Sequence, residues 1–427
     1  MLNNLALIKD KVIMDDMTRH GIMMVAFAVI GAFLSYMYQL AMGWLLTPED
    51  YGIVISLLAL LVIVSVFSST IETTVTKFVS KESASNKLGR VNYLWKFTLK
   101  RTLLLGLAIF AVLALFSPLI SSFLNIGNNW YPIIIFLSLV LTFGVCANYG
   151  TLRGLQRFLP LGISGTLGAC LKLAIAVGLV YMGFKVSGAL LSVALAAVIV
   201  FFVSTYFLRD LPKVGNEKVE VRGVRSYTGL AFLALLAFAV LTNIDVILAK
   251  QYLSAVDAGN YAAISVIGKL AFFIPGGIAV AMFPKTSHLF EVGGVHRLVL
   301  RKAILLTLLL AGVVVIIYWL FPQFVVNILF MGKYPDAIPY LFKYGLAMAF
   351  FAVSSLLMFY FLSLNRTRVA YLLIGAALLQ LCLIILFHSS IGQIVNVMLI
   401  CGASCLVLIL PFYLKVRNDF SYSAGLQ

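Results

Sequence analysis

The chain has 427 residues, of which 63% are hydrophobic and 11% charged, with a mean hydropathy of +1.08. Soluble globules keep their apolar share near roughly 45–50%, so this composition excludes a water-soluble fold and reads as a polytopic membrane protein. The net charge of +16 does not point to nucleic acid, because no hydrophilic stretch is long enough to form the water-exposed domain that a basic binding face requires.

Residues 1–20 mix apolar residues with Lys9, Asp10, Lys11, Asp15, Asp16 and Arg19, which suits a cytoplasmic interfacial helix lying on the membrane. The apolar run at 21–46 is too long for a signal-peptide core and has no small-residue cleavage site, so it reads as the first span. A span takes about 20 mainly apolar residues. Breaks between runs predict six spans at about 21–46, 52–76, 102–122, 131–151, 158–182 and 187–208, forming an N-terminal lobe over 21–208. A cytoplasmic linker at 209–226 follows. Six more spans at about 227–249, 261–284, 303–322, 337–361, 369–388 and 391–414 form a C-terminal lobe over 227–416, with a cytoplasmic tail at 417–427. The expected fold class is an all-α integral membrane protein with about 12 transmembrane helices. Each half holds an even number of spans, so both halves run in the same direction. The two six-helix lobes are therefore expected to be related by a pseudo-twofold along the membrane normal.

Loops retained in the cytoplasm carry the excess of Lys and Arg. With the N-terminus inside, 25 of the 31 basic residues fall on the inner side; Lys185, Lys250 and Lys333 fall outside, and Lys172, Lys269 and Lys343 lie within spans. Both termini are thus expected in the cytoplasm, with the chain in the cell membrane. The halves also echo one another. Leu46-Thr47-Pro48-Glu49-Asp50-Tyr51-Gly52 aligns with Leu253-Ser254-Ala255-Val256-Asp257-Ala258-Gly259, with Leu, Thr or Ser, Asp and Gly recurring at one offset of 207 residues.

No segment outside the spans exceeds about 25 residues, too short to fold a catalytic domain alone, so an enzyme is not expected. The histidines (His20, His288, His296, His388) have no zinc-ligand spacing around them. Cys401 and Cys405 share a helix face without a nearby His or carboxylate, and the five cysteines read as packing residues. Neither a metal nor a cofactor is expected. Gly162, Gly165 and Gly168 read as packing glycines that let membrane helices approach closely.

The informative residues are the ionisable ones inside spans, because a charge at bilayer depth costs roughly 2.5–3.5 kcal/mol on insertion scales and usually faces a bundle interior or wet cavity. Asp245 and Lys269 fall on antiparallel neighbours in the outer half of the membrane. They form either a site for a cation or substrate headgroup, with Asn243 beside it, or a buried ion pair that fixes the hairpin. Lys172 and Lys343 are less easily paired and suit an anionic substrate, although Lys343 is near enough to its span's start to snorkel outward. Glu72 is a second carboxylate candidate for cation coupling, or a partner for Lys77 or Lys81. Pro275-Gly276-Gly277 interrupts the eighth span, where Pro removes an internal hydrogen bond; it reads as a hinge for alternating access or as a static kink. Tyr36, Tyr38, Tyr261 and Phe273 stack on sugars or simply pack.

The motifs LLTPEDYG after the first span, KFVSK at the end of the second, NIDVILAKQYLSAVDAGNYA across the seventh and eighth, and the following FIPGG and FPK resemble the polysaccharide transporter, or Wzx-type oligosaccharide flippase, branch of the multidrug/oligosaccharidyl-lipid/polysaccharide (MOP) exporter superfamily. The resemblance covers nearly the whole chain. It implies a flippase that moves a lipid-linked oligosaccharide, with its polyprenyl phosphate or pyrophosphate anchor, from the cytoplasmic to the outer leaflet for surface polysaccharide assembly. It also implies a central cavity lined by the first, second, seventh and eighth spans, with Asp245 and Lys269 at it. Partners would be membrane lipids, a coupling ion (H+ or Na+) and glycosyltransferases or a polymerase of the same pathway. Two other readings stay open: a cation-coupled multidrug (MATE-type) antiporter using Asp245, and a non-transporting membrane subunit of a polysaccharide synthesis complex.

Overall fold

The computed structural model describes residues 2–219, 225–291, 294 and 296–424, with side-chain surroundings for 23–219, 229–290 apart from 284 and 288, 294, and 296–411. The middle of the expected linker, the side chain of His288 and the last three residues lie outside these ranges. Among the described residues regular structure is helical throughout: α1 (Leu2–Leu45), α2 (Pro48–Ala84), α3 (Leu88–Leu115), α4 (Ser117–Phe123), α5 (Trp130–Gly154), α6 (Phe158–Leu179), α7 (Lys185–Tyr206), α8 (Arg225–Tyr252), α9 (Ala255–Gly268), α10 (Leu270–Glu291), α11 (His296–Leu320), α12 (Pro322–Phe330), α13 (Leu341–Ser363), α14 (Val369–Leu386) and α15 (Ile391–Ala424).

Among the described residues eleven segments are long and apolar enough to cross a membrane, and one of them, the 49-residue Phe158–Tyr206, contains both α6 and α7. It turns at Gly183, whose φ of 92° is open to a residue without Cβ, and α6 and α7 then pack on each other. With α6 and α7 counted separately, the described spans come to the twelve expected. Several helices outrun the apolar runs: α3 begins at Leu88 instead of 102, α9 at Ala255 instead of 261, and α11 at His296 instead of 303. An apolar-run criterion sees only the part of a helix that lipid surrounds, whereas the backbone hydrogen bonding continues into polar sequence. For the same reason the expected separate N-terminal helix is continuous with the first span in α1.

The chain forms two compact units. The first comprises Met1–Leu45, Phe67–Ser122 and Ile126–Arg222; the second comprises Leu46–Val66, Phe123–Asn125 and Gly223–Gln427. Their internal packing follows one plan. In the first unit α1 packs on α6, α3 on α5, α5 on α7 and α6 on α7; in the second α8 packs on α14, α11 on α13, α13 on α15 and α14 on α15. In span order these are one–five, three–four, four–six and five–six, twice over. The short sequence echo is thus the visible trace of a duplicated six-helix unit.

The echo itself is a helix start used twice. Thr47 Oγ1 accepts the Asp50 backbone N–H at 3.2 Å, and Ser254 Oγ accepts that of Asp257 at 3.1 Å, each satisfying a donor that the first helical turn leaves free. The glycines that end the two motifs meet within the second unit. A Cβ on Gly52 would stand 3.1 Å from the Gly259 nitrogen, and one on Gly259 would stand 2.0 Å from the Pro48 carbonyl oxygen. Lys333 donates to the Leu46 carbonyl, and Tyr51 packs edge-on against Phe330 at 5.8 Å in the same region.

One end of the first unit is fixed by a buried polar network. Trp95 Nε1 donates to Asn148 Oδ1 at 2.8 Å, and Asn148 Nδ2 donates to Ser204 Oγ and Thr205 Oγ1, both at 2.9 Å. Both ends of the Asn148 amide are satisfied, so the network ties α3, α5 and α7 without orphaned groups. Around it pack Val75, Val79, Val91, Leu152 and Leu161.

Candidate functional site

In the second unit Asp245, fully buried on α8, accepts hydrogen bonds at one oxygen only. Tyr261 Oη of α9 donates to Oδ2 at 2.9 Å and Tyr344 Oη of α13 donates to the same atom at 2.7 Å; Oδ1 is buried without a partner. Ser265 lies 3.0 Å from the Tyr344 hydroxyl, and the two tyrosine rings meet edge to face at 5.9 Å. A Cβ on Gly268 would stand 2.3 Å from the Tyr344 ring, so a glycine at the end of α9 is what lets that ring in.

Of the two readings of Asp245 and Lys269, the direct ion pair is not formed. The Lys269 ammonium donates instead to Asn243 Oδ1 at 3.2 Å, while Asn243 Nδ2 donates to the Ala239 carbonyl at 2.9 Å. Residues two apart on a helix do not share a face, so a side chain hydrogen-bonded to Asn243 makes no direct contact with the Asp245 carboxylate. Lys269 also occupies the break in the eighth span, since α9 ends at Gly268 and α10 begins at Leu270. The helix is continuous through Pro275, Gly276 and Gly277, so the irregularity lies earlier than the expected hinge. Pro275 supplies no N–H to the Ala271 carbonyl, so the turn that follows the break also lacks one helical hydrogen bond.

Lys343 is not part of this cluster. It is exposed, and its ammonium reaches Asn396 Oδ1 at 3.4 Å; its neighbour Tyr344 is the residue that faces inward. Sequence reasoning singled out Tyr261 as a sugar-stacking candidate but missed Tyr344 and Ser265, for which the only signal was polarity within an apolar run.

The first unit holds the other cationic site. Lys172 on α6 lines a cavity of about 220 Å³ together with Ser35, Thr142, Gly165, Gly168 and Ala169, and no carboxylate lines it. Its ammonium sits 4.8 Å from the centroid of the Tyr38 ring, and Tyr38 Oη in turn donates to the Ala189 carbonyl at 2.8 Å. Among the described residues no carboxylate comes within ion-pairing distance of Lys172. A second cavity of about 310 Å³ shares Ser35, Gly165 and Ala169 with the first and is bounded by Tyr149 and Arg153.

Glu72 pairs with neither Lys77 nor Lys81. It meets Arg153 Nη2 at 3.0 Å, because α5 comes close to α2 there: a Cβ on Gly150 or Gly154 would stand 2.7 Å from Val75 or Val79. Of the three glycines expected to serve packing, Gly162 and Gly168 do, with an added Cβ 2.1 Å from Phe27 and 2.6 Å from Val200; Gly165 instead borders open space, only the Tyr149 hydroxyl lying within reach at 3.8 Å.

Residues 17–290, well over half the chain, match the family described as "Polysaccharide biosynthesis protein". No curated protein matches the chain. Among solved structures, it is similar to an inward-facing multidrug resistance MATE family transporter of the MOP superfamily, with a TM-score of 0.74 at 16% identity, covering 92% of this chain and 98% of that one. An outward-facing structure of such a transporter gives 0.69 at 17% identity, covering 95% and 96%. A MOP superfamily transporter from Pyrococcus furiosus, whose binding pocket is described as having reverse polarity, gives 0.64 at 16% identity, covering 93% and 96%.

Proposed function

The chain belongs to the polysaccharide biosynthesis protein family of the MOP superfamily, whose fold is that of multi-pass membrane transporters, and from that premise we propose that it is a flippase for a polyprenyl-(pyro)phosphate-linked oligosaccharide in the cell membrane. The observation that carries this reading is Lys172: a cation facing a membrane-embedded cavity that no carboxylate lines. A fixed positive charge at such depth is unfavourable unless an anion answers it. A phosphate-bearing headgroup is that anion. Small residues around Lys172 leave room for a headgroup, and the polyprenyl tail stays in lipid.

In this reading Asn243 and Lys269 offer a second polar position in the other unit, and the break at Lys269 with Pro275, Gly276 and Gly277 below it is where the eighth span bends. Asp245, with Oδ1 unpartnered, is the coupling carboxylate for H+ or Na+. Glu72, committed to Arg153, is a weaker candidate for that role. Lys343, exposed and held by Asn396, guides anions at most.

The runner-up is a cation-coupled multidrug antiporter, favoured by one observation, the unpartnered buried oxygen of Asp245. The two readings separate in proteoliposomes that contain a polyprenyl-pyrophosphate oligosaccharide and are given, in parallel, a cationic dye. The flippase reading expects the glycan to exchange between leaflets faster than in protein-free liposomes, with no gradient-driven dye uptake. Dye uptake driven by a proton or sodium gradient, without glycan exchange, would replace it with the antiporter.

A further inference from the structure

From the joined cavities of the first unit we infer that Arg153 is a receiving site for the phosphate group of a lipid-anchored substrate, and that Glu72 is the counter-ion this phosphate displaces. The inference rests on the flippase reading and extends it to two residues that the reading does not need.

Arg153 is not a closed structural ion. Its side chain is 42% exposed, while Glu72 is 17% exposed, and a single N···O contact of 3.0 Å joins them. A guanidinium carries five N–H donors in a planar fork, so most of its donors have no protein partner. Arg153 lines the 310 Å³ cavity and Glu72 does not. The cavity therefore presents a guanidinium whose one carboxylate partner among the described residues is not part of the cavity lining.

The space in front of Arg153 leads to Lys172. Gly162, Gly165, Ala169 and Lys172 follow one face of α6 at helical spacing, and the two cavities share Ser35, Gly165 and Ala169. From Gly165 to Lys172 the helix rises roughly 10 Å at 1.5 Å per residue. Gly31, on the facing helix α1, has nothing within 4 Å of an added Cβ. Glycine at Gly31 and Gly165 is thus explained by the passage and not by helix packing.

The exchange itself is favourable by chemistry. A phosphate oxyanion engages an arginine fork through two parallel hydrogen bonds, which are stronger and more directional than one contact to a carboxylate. Arrival of the phosphate also releases the ionic tie between α2 and α5, so occupancy of the cavity is reported to α2.

The test is binding to the purified full chain in detergent, using a short-chain prenyl pyrophosphate and, separately, inorganic pyrophosphate. Glu72→Gln is expected to bind the prenyl probe several-fold more tightly than wild type, Arg153→Gln several-fold more weakly, and the double variant no better than Arg153→Gln alone. The charge-swapped chain, Glu72→Arg with Arg153→Glu, keeps an ion pair and hence the fold, yet is expected to lose binding; recovery of wild-type affinity there would mean that the pair is only structural. Unchanged affinity in Glu72→Gln and Arg153→Gln, with binding still dependent on Lys172, would overturn the inference and spare the flippase reading. Equal affinity for inorganic pyrophosphate would overturn the lipid-anchored assignment, and no binding of either probe to wild type would overturn both.

Discussion

Tyr344 of α13 donates a 2.7 Å hydrogen bond to Asp245 Oδ2 across 99 residues of sequence, and Tyr261 of α9 donates to the same oxygen. Three helices of the second unit thus converge on one carboxylate. Removing the donor in Tyr344→Phe leaves that oxygen with a single partner, and an under-satisfied buried group costs about 1–3 kcal/mol; the variant is expected to melt several degrees below wild type. Asp245→Asn keeps the shape and removes the charge. Glycan exchange in proteoliposomes should then continue without responding to an imposed proton or sodium gradient. A gradient response equal to wild type would remove Asp245 from coupling.

The glycines of the internal repeat and those after Pro275 should behave oppositely. Gly259→Ala forces a Cβ to within 2.0 Å of the Pro48 carbonyl oxygen, and neither backbone can yield without moving α2 or α9. A loss of about 1–3 kcal/mol is expected. Gly276 and Gly277 have nothing within 4 Å of an added Cβ, so alanine there should stabilise by up to about 1 kcal/mol through helix propensity. If the eighth span bends during transport, Gly276→Ala with Gly277→Ala will also slow exchange. Melting temperatures and exchange rates on the same preparations separate the two effects.

Outside the spans Arg157 links the start of α6 to the segment that follows α7. Its Nη1 donates to Asp210 Oδ1 at 2.8 Å and to the Phe207 carbonyl at 3.1 Å, and Nη2 meets Asp210 Oδ2. The hydrogen bonds from Arg157 hold the Asp210 carboxyl below its ordinary value, and hydrogen bonding to Asp210 raises Arg157. A depressed aspartate stabilises the fold above its unfolded pKa of about 3.9 and loses that contribution as pH falls through the lower, folded value. The raised arginine contributes throughout the usable range. Wild type should therefore lose a small increment of stability between about pH 5 and pH 3, on the order of 0.2–1 kcal/mol after screening, and Asp210→Asn should lack that increment. Thermal melts across this range check it.

The spans, their number and the duplicated organisation were legible because lipid imposes length and apolarity on each crossing and because a helix start reused at a fixed offset leaves matching caps. The lysines within spans were legible for the same reason. Their partners were not. Lys269 meets Asn243 instead of Asp245 because facing depends on helical phase, which an apolar run does not reveal. Arg153 read as an ordinary cytoplasmic loop charge, since nothing local records that Gly150 and Gly154 bring α2 against α5. Tyr344 was hidden beside the more conspicuous Lys343.

If Lys172 answers an anionic headgroup, its charge sets the rate at which a polyprenyl-pyrophosphate oligosaccharide crosses between leaflets, measured most directly in proteoliposomes of wild type, Lys172→Arg and Lys172→Gln. With the charge kept, Lys172→Arg should retain most of the rate. With the charge removed, Lys172→Gln should lose roughly tenfold or more, corresponding to at least about 1.4 kcal/mol, at an unchanged melting temperature. Exchange by Lys172→Gln at the wild-type rate, with equal reconstitution, would contradict the account.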